Sequence, residues 1–146
     1  MNRLFFDTSA LVKIYHREKG SDTCLSAYSG QAEILISELA RVELCSALYK
    51  KCREKEISQS VVDAVIRRFE EDCRDRFEVF HVASFVYDEA VRLLARYASA
   101  TSLKTLDALQ LATYLLYCEK DSDSFVCADE KLCQVARSEH AKVLKV

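Results

Sequence analysis

Four of the 23 Asp and Glu residues in this sequence stand where a solvated carboxylate has little reason to be. Asp7 and Asp129 each end a short apolar run, Leu4-Phe5-Phe6 and Phe125-Val126-Cys127-Ala128. Glu43 lies in Leu39-Ala40-Arg41-Val42-Glu43-Leu44-Cys45-Ser46-Ala47-Leu48, with Leu39, Ala40, Ser46 and Ala47 one turn away. That spacing puts it on or beside an apolar helix face. Asp107 has Leu103 and Leu111 four residues to either side and is flanked by Leu106, Ala108 and Leu109. A carboxylate in such company is costly unless something compensates it. Carboxylates gathered at one place repel and raise each other's pKa unless a cation lies among them. Hard oxygen donors, with no His or Cys at ligand spacing, suit Mg²⁺ or Mn²⁺. Such an ion can orient and deprotonate water and stabilise a phosphoryl transition state, so phosphodiester hydrolysis is the natural chemistry of this set.

Each acid also has a plain structural explanation. Asp7 and Asp129 can cap the helices that follow them. Glu43 can pair with Lys50 or Lys51 in space, and Asp107 can be a buried structural acid held by Arg or by hydroxyls such as Thr105. Most other acids have a simple home. Glu54, Glu56, Glu70, Glu71, Asp72 and Asp75 lie among Lys and Arg on hydrophilic helix stretches and read as solvated faces.

The elements that must position the four acids follow from periodicity. Leu4 to Phe6 reads as a strand buried on both faces, with Asp7 at its end. A helix follows from about Ser9 to His16, and Gly20-Ser21 breaks the pattern. Ser21 can cap a second helix through Ala27-Tyr28. Glu33 to Ser37 is a second buried strand, and Ser37 is placed to cap a long helix through about Glu54. Ser58 can cap another, from Val61 to about Asp75. Phe77 to Val82 alternates and reads as a third strand nearer an edge. Helices are expected from Ser84 to about Tyr97 and from Leu103 to about Tyr117. A fourth strand, Phe125 to Ala128, comes after the charged loop Glu119 to Ser124. A short helix to about Ser138 and a final strand, Lys142 to Val146, close the chain. Strands alternating with helices predict a three-layer α/β fold with a mainly parallel central sheet. The two helices between Glu38 and Asp75 predict a hairpin inserted between strands two and three.

The 146 residues suit one domain, 1–146. Two glycines and no proline disfavour an all-β fold rich in tight turns. They also exclude a Gly-x-Gly-x-x-Gly dinucleotide turn. No apolar run reaches the roughly 20 residues needed to span a bilayer, and Asp7 and Lys13 interrupt any signal-peptide core. A cytoplasmic protein is therefore expected, its seven cysteines free thiols and Cys45 and Cys127 small core residues. The net charge of -2 argues against broad nonspecific coating of nucleic acid.

Phe6-Asp7-Thr8-Ser9-Ala10-Leu11, Val42-Glu43-Leu44, Leu103-Lys104-Thr105-Leu106-Asp107-Ala108-Leu109-Gln110-Leu111-Ala112 and Phe125-Val126-Cys127-Ala128-Asp129 together resemble the acidic motifs of PIN-domain ribonucleases. More narrowly they resemble the VapC toxins of toxin–antitoxin pairs. The first and third segments are specific as a pair. The resemblance implies a PIN-like fold, Mg²⁺- or Mn²⁺-dependent endoribonuclease activity, a homodimer and a cognate antitoxin. Carried over by position, Asp7, Glu43, Asp107 and Asp129 form the catalytic and metal-binding acids, and Ser9 supports the first of them. Glu130 is peripheral. Glu38 is either an outer acid or a first-turn helix residue. Arg41 either holds Glu43 or reaches a phosphate.

Lys13, Arg17 and Lys104 are candidates for RNA contact because they neighbour the motifs. Antitoxin is expected around Ala47-Leu48-Tyr49 and the second helix. Rival readings are a housekeeping RNA-processing PIN nuclease, a non-catalytic PIN-like binding module, and an aspartyl phosphatase or phospho-receiver domain. The phosphatase would need Asp-x-Asp where the chain has Asp7-Thr8-Ser9.

Overall fold

Leu4-Phe5-Phe6 is apolar on both sides, and a strand of that kind needs cover above and below. It belongs to β1 (Arg3–Phe6), the middle strand of a five-stranded, wholly parallel sheet. The computed structural model describes residues 2–146. After β1 come α1 (Thr8–Tyr15), α2 (Ser21–Ser29), β2 (Glu33–Ser37), α3 (Leu39–Arg53), α4 (Gln59–Asp75) and β3 (Phe77–Phe80). Then follow α5 (Ser84–Tyr97), α6 (Thr105–Tyr117), β4 (Ser124–Cys127), α7 (Glu130–Ser138) and β5 (Lys142–Lys145). The strand order is β3-β2-β1-β4-β5. Phe5 pairs with Leu35 on one side and Phe125 on the other, which fixes the register of the central three strands.

Alternation along these strands divides the core in two. Phe5, Leu35 and Phe125 face α5, α6 and α7, where they meet Leu93, Leu111, Tyr114 and Leu132. Leu4, Phe6, Ile34, Ile36 and Val126 face the other layer, against Leu11, Leu44, Leu48 and Phe69 of α1, α3 and α4. The result is the expected three layers, and β3 lies at an edge as its alternation suggested. The α3–α4 hairpin is inserted between β2 and β3, also as expected. Ser58 caps α4, its hydroxyl accepting from the Val61 N–H at 3.3 Å. Among the described residues no helix is long and apolar enough to cross a membrane.

Local departures have identifiable causes. The third strand stops at Phe80 rather than Val82, because the Glu38 carboxylate takes the Val82 N–H at 2.6 Å. The helix carrying Asp107 starts at Thr105 rather than Leu103; Lys104 is extended and the Leu103 N–H turns to the Thr101 hydroxyl. Ser21 does not cap α2. Gly20 holds that position at φ +89°, and the Ser21 hydroxyl accepts from Glu18 instead. A Cβ on Gly20 would stand 2.8 Å from the Val146 carbonyl carbon, so both the angle and the space require glycine.

Two expectations about side chains are corrected. Asp72 is not on a solvated face; it is 1 % exposed, three residues beyond the buried Phe69 on the same side of α4. The hydroxyls of Tyr15 (2.6 Å) and Tyr28 (2.9 Å) donate to it, and Arg68 lies at 3.4 Å. Cys127 and Cys133, both fully buried, are joined as a disulfide between the end of β4 and the first turns of α7, while the other five cysteines are free.

Candidate functional site

The chain builds outward from β1 to β2 and β3, then returns to place β4 on the other flank of β1. Where strand order reverses, the helices diverge and leave a crevice beyond the carboxyl ends of the strands, the usual ligand position in open α/β sheets. Asp7 follows β1 and Asp129 follows β4, so both stand at that reversal. The Asp7 N–H donates to the Val126 carbonyl at 3.1 Å, continuing the β1–β4 ladder into the site.

Asp7 is 3 % exposed and caps α1, accepting from the Ala10 N–H at 3.0 Å. The Ser9 hydroxyl lies 2.7 and 2.9 Å from its two carboxylate oxygens. Ser9 in turn accepts from the Ala128 N–H at 3.1 Å, which ties the end of β4 to the start of α1. Burial pushes the Asp7 carboxyl up to about 7. The bonds from Ser9 and Ala10 oppose the rise, and the charges of Asp107 and Glu43 add to it. Asp129 caps α7 by accepting from the Leu132 N–H at 2.9 Å. The capping explanations of both strand-end acids therefore hold, and neither keeps the acid out of the crevice.

Glu43 reaches the crevice from α3. Its Oε1 accepts from the Thr8 hydroxyl at 3.1 Å and from Gln110 Nε2 at 2.7 Å. Asp107 comes from the first turn of α6 and is half-buried. Burial raises its pKa, the charges of Asp129 and Glu43 raise it further, and Lys104 opposes them. All four acids line one cavity of about 580 Å³, together with Thr8, Ser9 and Gln110.

No ion pair to any of the four forms among the described residues. Lys51 is engaged with Glu18 and Glu56, while Lys50 and Arg53 line the cavity without pairing to any of the four. The expected alternative for Glu43, a pair with Lys50 or Lys51, is thus not formed.

The donor set fits a hard divalent cation in kind, being carboxylates, partly buried, mutually repelling and without an ion pair. Among the described residues no three Asp, Glu, His or Cys side chains make a ready metal cage.

Several expected neighbours lie elsewhere. Glu38 holds the end of β3 through Val82 and His81, and that backbone bond lowers its pKa. Arg41 lines separate cavities, beside Glu38 and Glu70. Lys13 is buried against Glu18 and the Lys19 carbonyl, and Arg17 pairs with Asp22. Leu48 is a core residue, which removes it from any antitoxin surface. Lys104 does stand close, in a smaller cavity that shares Asp107 and Asp129 and also holds Lys131 and Glu130.

Thr8, Gln110 and Arg53 were not singled out from sequence, and Lys50 only as a possible partner of Glu43. Thr8 and Gln110 flank Glu43; Lys50 and Arg53 line the cavity seven and ten residues after Glu43, on the same face of α3. The Gln110 Oε1 is buried with no hydrogen-bond partner, a cost of about 1–3 kcal/mol.

The fold has known counterparts. The structure superposes on VapC20 of Mycobacterium tuberculosis, a sarcin–ricin loop cleaving toxin, with a TM-score of 0.66 and 16% identity, covering 88% of this chain and 92% of that one. For FitAcB of Neisseria gonorrhoeae the TM-score is 0.72 at 11% identity, covering 97% and 96%. For VapBC2 of Rickettsia felis, solved on a fragment of promoter DNA, it is 0.66 at 14% identity, covering 99% and 98%. No curated protein matches the sequence. The family model for the PIN domain matches residues 4–138, nearly the whole chain, and with the parallel sheet and the acid-lined crevice at its strand reversal the chain belongs to the PIN-domain family of nucleases.

Proposed function

We propose that this protein is a metal-dependent endoribonuclease that hydrolyses RNA phosphodiester bonds, and that it is the toxin of a type II toxin–antitoxin pair. The observation that carries the first reading is the set of four carboxylates on one cavity, none of which forms an ion pair with a cationic side chain among the described residues. The second rests on fold likeness to VapC20, described as a toxin, and to the FitAcB and VapBC2 assemblies.

Asp7, Asp107 and Asp129 would hold Mg²⁺ or Mn²⁺, directly or through its waters. Glu43 completes the shell or takes a proton from the attacking water. When bound, such an ion would supply Lewis-acid stabilisation of the phosphate and a water of lowered pKa. Ser9 keeps Asp7 in place by its two short contacts. Lys50 and Arg53 on one side, and Lys104 and Lys131 on the other, meet the phosphates flanking the scissile bond. The partners are an RNA substrate, a second copy of the chain, and an antitoxin that covers apolar α3 surface such as the exposed Val42 and Tyr49.

The reading is tested by calorimetric titration of Mn²⁺ into the protein and into the Asp7→Asn/Asp107→Asn double variant, with RNA cleavage assayed beside it. Saturable binding and cleavage that the double variant loses support it. A folded wild type that binds no Mn²⁺ at millimolar concentration shifts the assignment to a non-catalytic RNA- or partner-binding module. Asp107→Asn alone, which removes charge at nearly constant volume, is expected to lower cleavage at least 100-fold; retention of full metal-dependent cleavage would remove Asp107 from the site.

Lys50→Gln/Arg53→Gln is expected to weaken single-stranded RNA binding and to flatten its salt dependence. The loss of two phosphate contacts corresponds to roughly 1.4 in the slope of log K against log[salt], at ~0.7 per contact. Fluorescence anisotropy at several salt concentrations measures it, and an unchanged slope would take both residues off the RNA path.

A further inference from the structure

Gln110 is 2 % exposed and sits three residues beyond Asp107, on the same side of α6. Its Nε2 donates to Glu43 Oε1 at 2.7 Å and to the Thr8 Oγ1 at 3.0 Å. The Thr8 hydroxyl donates to the same Glu43 oxygen at 3.1 Å. A carboxylate only accepts, so the amide must turn its nitrogen to Glu43. Its own oxygen is then left buried and unpartnered. The neighbours Ala108, Leu109, Leu111 and Ala112 are buried apolar residues, and an aliphatic side chain at 110 would fill the space without that orphan. An amide kept here works against stability unless its other end has something to hold.

We infer that Gln110 is a positioning residue, which with Thr8 clamps Oε1 of Glu43 and leaves Oε2 as the oxygen offered to a divalent cation or to its water. The inference rests on the metal-nuclease reading. Two donors converging on one oxygen fix the rotation of a carboxylate whose partners come from α1 and α6, elements on opposite layers of the sheet. Glu43 lies on α3, so the clamp also ties three helices together at the crevice.

The test is Gln110→Met, which keeps length and volume and removes the amide. Mn²⁺ binding by calorimetry is expected to weaken roughly 10- to 100-fold, the usual loss when a hydrogen bond that orients a metal ligand is removed. The metal-free melting temperature is expected to stay level or rise, because the orphan acceptor is gone. The reverse pattern, a lower melting temperature with unchanged Mn²⁺ affinity, overturns the inference in favour of a packing role.

A double-variant cycle separates acting through Glu43 from acting alone. Gln110→Met added to Glu43→Ala should cost no further Mn²⁺ affinity; a second full loss would make Gln110 an independent ligand and overturn the clamp. Should Gln110→Met fail to fold, Gln110→Leu takes its place. The contact is also read in the metal-free wild type by ¹⁵N–¹H NMR, where the Gln110 side-chain amide should move when Glu43 becomes Ala; an amide that does not move overturns the clamp. A wild type that binds and cuts normally, beside a Met variant that does the same, discards the clamp alone. A wild type that binds no Mn²⁺ discards the metal reading and the clamp together. One that binds Mn²⁺ but cuts no RNA discards the nuclease reading and leaves the clamp supported by the affinities.

Discussion

Asp7→Asn is expected to abolish Mn²⁺-dependent cleavage and, in the same molecule, to stabilise the fold at neutral pH. The two effects have one cause. Asp7 is 3 % exposed, and burial raises its carboxyl from 3.8 to about 7. In the unfolded chain it ionises at its ordinary value. Between about pH 4 and pH 7 the folded state keeps a proton that the unfolded chain has lost, so stability falls as pH rises across that window. Below it both states are protonated and Asp7 contributes nothing; above it the whole penalty is present, roughly 4 kcal/mol at 1.36 kcal/mol per unit. Asn carries no charge, and its amide oxygen still accepts from Ala10, so the α1 cap survives. Urea unfolding of the metal-free proteins should therefore give equal stabilities near pH 4, with the variant more stable by up to that amount at pH 8. Equal stabilities at pH 8 would show that the Asp7 charge is already compensated. The same pKa predicts that Mn²⁺ affinity of the wild type climbs as pH rises through 7, since the cation must displace the proton. Stabilisation gained by silencing one of the proposed site carboxylates is the trade-off expected of a site built from mutually repelling acids.

Asp72→Ala should have the opposite sign and leave the crevice untouched. The substitution strands the Tyr15 hydroxyl inside the Tyr15–Phe69 aromatic contact, removes the acceptor of the Tyr28 hydroxyl, and leaves Arg68 only Tyr28 and Glu71. A loss of about 3 kcal/mol is expected in urea unfolding, in the range for breaking a buried charge network by removing one member. Asp72→Asn, which keeps one acceptor, should recover part of it. Asp75→Ala, one turn on at an exposed position, should stay within about 0.5 kcal/mol. If Asp72→Ala and Asp75→Ala behave alike, the buried cluster does not stabilise the α1–α4 layer.

Asp72 and Asp75 also mark the boundary of what a sequence can tell. Both lie among Arg and Glu in one stretch, and local composition treats them alike; only the packing of Tyr15 and Tyr28 against α4 separates them. Asp123 is similar. It reads as part of a charged loop, yet it is 1 % exposed and takes Arg3, from the start of β1, at 2.8 Å.

What the sequence by itself determined was everything that periodicity carries. Leu4-Phe5-Phe6, Ile34-Leu35-Ile36 and Phe125-Val126-Cys127 lack polar alternation, so they had to be strands covered on both faces, and parallel strands joined by helices follow from that. The two strand ends placed Asp7 and Asp129, and the apolar surroundings of Glu43 and Asp107 marked them as costly wherever the chain went. Strand and helix ends drifted by a residue or two, because Glu38 and Thr101 settle them through bonds, and Gly20 through its backbone angle, that periodicity does not encode. Only the tertiary structure decided which side chains meet across long stretches of chain. Gln110 reaches Glu43 across 67 residues and Thr8 across 102. Lys50 and Arg53 enter the cavity because α3 crosses above the strand reversal. These contacts depend on how layers are stacked and on which atom of a side chain is left without a partner, neither of which is a property of neighbouring residues.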